Sequence, residues 1–175
     1  MSAIIPKSAF DFFNKLEKNN NREWFTDHKS EFKKIEAEVK KVYNEIYNNL
    51  NKHDEVDKLK LFRIYRDVRF SKDKTPYKTH MSAFISPGGK KAKEDPGIYF
   101  QLGVNGIRIY SGIHLPDKDN LEKIRRAIAN SPDKFTSIIS GKKFKSKFGE
   151  ILGEKHKRIP PEFKEAAEKQ PLLAN

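Results

Sequence analysis

The dipeptide Asn105-Gly106 sits between two runs in which apolar and polar residues alternate, Gly97 to Val104 and Ile107 to Leu115. Alternation with period two places successive side chains on opposite faces of a strand, and Asn-Gly is the pair that a type I′ hairpin turn demands. Two antiparallel strands are therefore predicted. A two-residue loop pairs Val104 with Ile107, Leu102 with Ile109, Phe100 with Ser111 and Ile98 with Ile113, giving one apolar face. Tyr99, Gln101, Arg108, Tyr110 and His114 occupy the other.

The sequence before the hairpin predicts helices first. Ser8 followed by Asp11 reads as a capping box for a short helix with Phe10, Phe13 and Leu16 inward, stopped by Asn19-Asn20-Asn21. A second piece, Arg22 to Phe25, leads into a long amphipathic helix on Phe32, Ile35, Val39, Val42, Tyr43, Ile46 and Leu50. Its outer face interleaves both charge signs, which describes a solvated surface. Residues 62–70 then alternate, with Phe62, Ile64, Val68 and Phe70 on one side and Arg63, Tyr65, Asp67 and Arg69 on the other, predicting a strand. Arg66 falls among the apolar set and needs a carboxylate, for which Glu23 is the choice. A short strand follows at His80 to Ser86, closed by Pro87-Gly88-Gly89, with a loop tip over 90–95.

Beyond Pro116, helices are predicted on Leu121, Ile124 and Ile128, then from Ser131-Pro132 through Phe135, Ile138 and Ile139 to Gly141. A basic segment, Lys142 to Arg158, has Phe144, Phe148, Ile151 and Leu152 beneath it, and a last helix reaches Gln170. The predicted fold is one α+β domain over residues 1–175, a largely antiparallel sheet covered on one face by helices from both ends of the chain.

The formal net charge of +12 favours an acidic partner. The absence of cysteine excludes disulfides, thiolate metal sites and cysteine nucleophiles, and it fits a cytoplasmic protein. No apolar run approaches the length of a membrane span, so no membrane association is expected. Nucleotide-loop and serine-hydrolase signatures are absent. Five histidines show no close metal-ligand spacing, so no metal is expected; only tertiary assembly, with His80 and His114 near Asp67, would provide one.

Chemistry concentrates in Arg63 to Tyr77. Arg63, Arg66, Arg69, Lys74 and Lys78 are the expected anion-binding groups, because guanidinium and ammonium donors suit phosphate or carboxylate oxygens. Asp67, His80 and Tyr77 are the candidates for proton transfer or orientation, with Glu23, Asp73, Tyr99, Tyr110 and His114 in support. Three readings follow: a site for a phosphate- or carboxylate-bearing small molecule, a single-stranded nucleic-acid module using the basic and aromatic sheet face, or a lattice of structural ion pairs. No cofactor, reaction or oligomeric state is indicated.

The run Arg63, Arg66, Asp67, Arg69, Phe70, Asp73, Lys74, Tyr77 resembles the RxxRDxRF and DKxxY pattern of a mainly bacterial family, domain of unknown function 2461. Asn20 to Phe25, Thr75 to His80 and the hairpin are similar to further pieces of it. The resemblance implies no activity, and it implies a natural domain that continues past Asn175.

Overall fold

The computed structural model describes residues 4–87, 96–151 and 158–174. Two compact units divide the chain, residues 1–114 and 115–175. The α+β class and the antiparallel sheet are as predicted.

The first unit opens with α1 (Lys7–Lys18), α2 (Arg22–Asp27) and α3 (Lys29–Leu50). Ala9, Phe12, Phe13 and Leu16 fall at helical spacing on one face of α1 and are wholly buried. Complete burial of a side chain such as Phe12 contributes about 1.5–3 kcal/mol. The capping box is not formed: the helix starts one residue before Ser8, with Pro6 at the N-cap position and no side-chain cap. The proline's fixed φ already suits a helix entry. Asn21 caps α2 instead, its side chain accepting the Trp24 N–H at 2.9 Å. His28 joins α2 to α3 and stacks on Trp24, with ring centroids 3.9 Å apart.

The sheet is a four-stranded antiparallel meander, β1 (Lys58–Leu61), β2 (His80–Ser86), β3 (Gly97–Gly103) and β4 (Gly106–Gly112), in sequential order. Leu59 and Leu61 oppose Ile85 and Ala83, which continue across to Ile98 and Phe100, so these residues share the face that packs on α1 and α3. Phe32, Ile35, Val39 and Tyr43 of α3 complete that core. The Tyr43 hydroxyl donates to the Met81 carbonyl at 3.1 Å, and burial pushes its phenol well above the usual range.

The hairpin differs from its predicted register by two residues: Leu102 pairs with Ile107, Phe100 with Ile109 and Ile98 with Ser111. With Gly103 paired to Gly106 the turn is centred on Val104 and Asn105, neither of which takes a positive φ, so it is not type I′, which needs positive φ at both central residues. The positive φ of 78° falls on Gly106, just after them. A shift of two preserves which face each side chain occupies. At the far edge, Ile107 and Ile109 remain 55% and 61% exposed.

The strand predicted over 62–70 is not present. The ladder of β1 ends at Leu61, and residues 62–79 form an irregular excursion whose only pairing is an isolated antiparallel bridge between Tyr65 and Tyr77. Phe70 is 96% exposed.

The second unit holds α4 (Lys118–Asn130), α5 (Pro132–Ser140), α6 (Lys142–Phe148) and α7 (Lys164–Lys169), with 3₁₀ turns at Pro161–Phe163 and Pro171–Ala174. Asp117 caps α4 by accepting the Asn120 N–H at 2.8 Å. Pro132 takes the first position of α5 and Gly141 ends it, as predicted. Phe163 and Leu173 are buried, and the Arg125 Nε donates to the Leu173 carbonyl at 3.0 Å. Ile138 and Phe148, predicted to pack inward, are more than half exposed. The turn at Gly88-Gly89, the loop tip over 90–95 and Leu152 lie outside the described residues. Among the described residues, no helix is long and apolar enough to cross a membrane.

Candidate functional site

The excursion from Phe62 to Thr79 is closed at its base by backbone pairing. The Phe62 N–H donates to Ser82 O at 3.0 Å, the Lys78 N–H to Ile64 O at 2.8 Å and the Arg66 N–H to Pro76 O at 2.9 Å. Asn20, from the turn between α1 and α2, clamps this base. Its Nδ2 donates to the Tyr77 carbonyl at 2.9 Å while its Oδ1 accepts the Tyr77 N–H at 3.1 Å. The Tyr77 ring is buried and stacks on Phe25 of α2 at 4.0 Å, and burial raises its hydroxyl above the ordinary phenol range.

Beyond the base, polar side chains do what a strand ladder would otherwise do. Asp73 Oδ1 accepts the Thr75 N–H at 2.9 Å and its Oδ2 meets the Arg66 Nη1 at 2.5 Å, with the Thr75 hydroxyl bonded to both Arg66 and Asp73. The Thr75 amide and the Arg66 guanidinium together hold the Asp73 carboxyl down at about 2. Asp67 chelates Arg69 through two parallel bonds, from Nε to Oδ1 at 2.9 Å and from Nη2 to Oδ2 at 2.7 Å. That pairing lowers the Asp67 carboxyl and raises the Arg69 guanidinium. Lys74 donates to the Val68 carbonyl at 3.0 Å. Backbone groups satisfied by nearby side chains have no need of a neighbouring strand, which is why the alternating run leaves the sheet. Asp73, not Glu23, is the carboxylate that Arg66 finds.

Of the five cations expected to hold an anion, Arg66 and Arg69 are thus occupied by carboxylates and Lys74 by carbonyl oxygens. Arg63 and Lys78 are different. Among the described residues neither has a carboxylate within ion-pair distance, although the Arg63 charge reaches Asp67 and helps to lower its carboxyl. Burial, and then the Arg63 charge, lower the Lys78 ammonium. His80 follows in the same direction, through burial and then the Lys78 charge. The backbone bond from Lys78 to Ile64 is what brings residue 63 beside residue 78.

This pair borders the sheet face opposite the core. Phe62 continues the alternation of β1, so it lies with Lys60 on the outer face; the prediction that it shares a face with the buried Ile64 is not met. The ammonium groups of Lys60 and Lys78 stand 5.0 Å and 5.5 Å from the Phe62 ring centroid. Phe62 lies 6.0 Å from Tyr99, and Tyr99 lies 6.1 Å from Tyr110, its directly paired residue on β4. Arg108, opposite Gln101, shares that face. His114 is exposed and follows the end of β4. Among the described residues, no three His, Asp or Glu side chains gather as a metal cage requires.

Sequence reasoning missed Asn20, Phe62 and Lys60. Asn20 carries no local signal, because its partner is 57 residues away. Phe62 and Lys60 were legible only if β1 had been recognised four residues earlier.

The family model described as conserved hypothetical protein (DUF2461) matches residues 8–175, and the chain belongs to that family. No curated protein and no solved structure matches it.

Proposed function

We propose that this member of the DUF2461 family binds a phosphate-bearing ligand through Arg63 and Lys78, with His80 beside them as a neutral hydrogen-bonding group. The observation that carries this reading is the adjacency of two cations neither of which, among the described residues, has a carboxylate within ion-pair distance, in a loop where Arg66, Arg69 and Lys74 are engaged. Like charges held together disfavour one another, and an anion relieves that cost. Burial adds to it at Lys78, which is half-buried, while Arg63 is exposed and free to reach a ligand. Asp67, clamped on Arg69, serves in this reading as a fixture of the loop. A cytoplasmic setting accompanies the proposal, on the strength of a cysteine-free composition.

The test is thermal unfolding in rising pyrophosphate. A ligand that binds only the native state raises the midpoint with concentration. The wild type is expected to be stabilised, and the double variant Arg63→Ala, Lys78→Ala is expected to lose the effect while remaining folded. Equal stabilisation of both proteins, or none of the wild type, overturns the reading.

A second reading is favoured by the ion pair of Arg66 with Asp73: these two residues of the motif serve the fold, while the exposed pair of Asp67 with Arg69 only orients its own side chains. It predicts that Arg66→Ala lowers stability without altering the response to pyrophosphate.

A further inference from the structure

Phe62, Tyr99 and Tyr110 form an unbroken row on the outer sheet face, with centroid steps of 6.0 Å and 6.1 Å. Cations flank the row on both sides. Lys60 and Lys78 stand over the Phe62 ring, Arg63 lies next to Lys78, and Arg108 sits two residues from Tyr110 on β4. Tyr110 is 53% exposed. The sheet residues on this face include no acid.

We infer that this row is a stacking platform for the bases of a single-stranded nucleic acid, whose phosphates run along Lys60, Lys78, Arg63 and Arg108. The inference rests on the phosphate reading above and extends it from one anion to a strand. Three consecutive rings exceed what one nucleotide base can cover, and a small carboxylate has no use for them. A duplex hides its base faces within its own stack, whereas a single strand presents each one separately. These rings, inclined by 59° and 48° to one another, offer a separate face to each base and no continuous plane. Steps near 6 Å suit bases splayed along an extended backbone. The alternative, that the rings only pair across strands to stabilise the sheet, predicts no dependence of any binding on the bases.

The experiment is fluorescence anisotropy with labelled oligothymidylate, oligouridylate, an abasic strand of equal length and a duplex, each titrated at low and moderate salt. Either the deoxy or the ribo strand is expected to bind roughly five- to a hundredfold more tightly than the abasic strand. Tyr110→Ala removes that advantage, and Tyr110→Phe keeps it. The double variant Arg63→Ala, Lys78→Ala weakens binding to all strands and lowers the salt slope by about 1.4 units, about 0.7 for each phosphate contact on a single strand. Tyr110 is exposed on an edge strand, so its variants remain folded. Equal affinity for base-bearing and abasic strands, or tighter binding to duplex, overturns the platform while the pyrophosphate response stands. If that response is also missing, the underlying phosphate reading fails with it.

Discussion

The side-chain amide of Asn20 pairs with both backbone polar groups of Tyr77, donating to its carbonyl and accepting its N–H. One side chain thereby takes the part of a strand neighbour at the point where the charged loop returns to the sheet. Asn20→Ala leaves both groups of Tyr77 without partners in a half-buried setting, and each such loss costs about 1 kcal/mol or more. The expected destabilisation is about 2–3 kcal/mol in urea unfolding. Asn20→Asp keeps the acceptor but sets a carboxylate oxygen against the Tyr77 carbonyl, so it does not restore stability.

Gly103 closes β3 where the chain crosses Thr79 and His80. A Cβ added there meets the Thr79 carbonyl oxygen at 2.3 Å and the His80 Cα at 2.8 Å, both backbone atoms that cannot rotate away. Gly103→Ala is expected to cost about 2–3 kcal/mol by overpacking. A midpoint in urea unchanged from wild type removes the argument.

Acid should act first on the loop. The Asp73 carboxyl sits at about 2, below the ordinary value of 3.8, and Asp67 is lowered as well. A carboxylate whose folded value is depressed stabilises the native state above its unfolded value, and that contribution disappears as pH falls through the folded one. Stability from these two groups is therefore complete above about pH 4 and is lost toward pH 2. Asp73→Asn should flatten the pH dependence of the unfolding midpoint in that window, and a slope identical to wild type contradicts the assignment.

Arg66 and Arg69 stand three residues apart in the motif and should behave differently. The Arg69 and Asp67 side chains are at least half exposed, and solvent screens such pairs. Arg69→Ala should leave the thermal midpoint nearly unchanged. Arg66 has a largely buried side chain that joins Asp73 and Thr75 across the loop, so Arg66→Ala should lower the midpoint clearly and expose the 66–76 backbone to proteolysis. Equal effects of the two substitutions would sink this distinction.

Long-range periodicity was the legible part of this chain. The α3 pattern and the alternation around Asn105 each repeat a spacing that only one secondary structure satisfies, and the faces they assign are correct. The hairpin register moved by two because the turn is centred on Val104-Asn105 and Gly106, with its positive φ, already opens β4. Parity survived, and parity is what decides which residues face the core. The run from Phe62 to Phe70 failed for a different reason. Its alternation is real, but Asp67, Asp73, Thr75 and Lys74 satisfy the local backbone, so the periodic signal and the hydrogen-bonding chemistry point to different structures. Arg66 does need a carboxylate, and it finds Asp73 because the chain folds back on itself as a loop, where a strand over 62–70 would hold the two apart. The cationic pair at Arg63 and Lys78 was named among five candidates, and nothing in the sequence separated it from the three that are occupied.

The Tyr65 to Tyr77 bridge has a consequence for how such a chain can vary. It is the crossing of two chain segments that sets Arg63 beside Lys78, and Arg66, Asp73 and Thr75 brace that crossing from within. Only the exposed tip around Phe70 can therefore change character without disturbing the gateway, so recognition at the rim is tied to the brace and not to the tip.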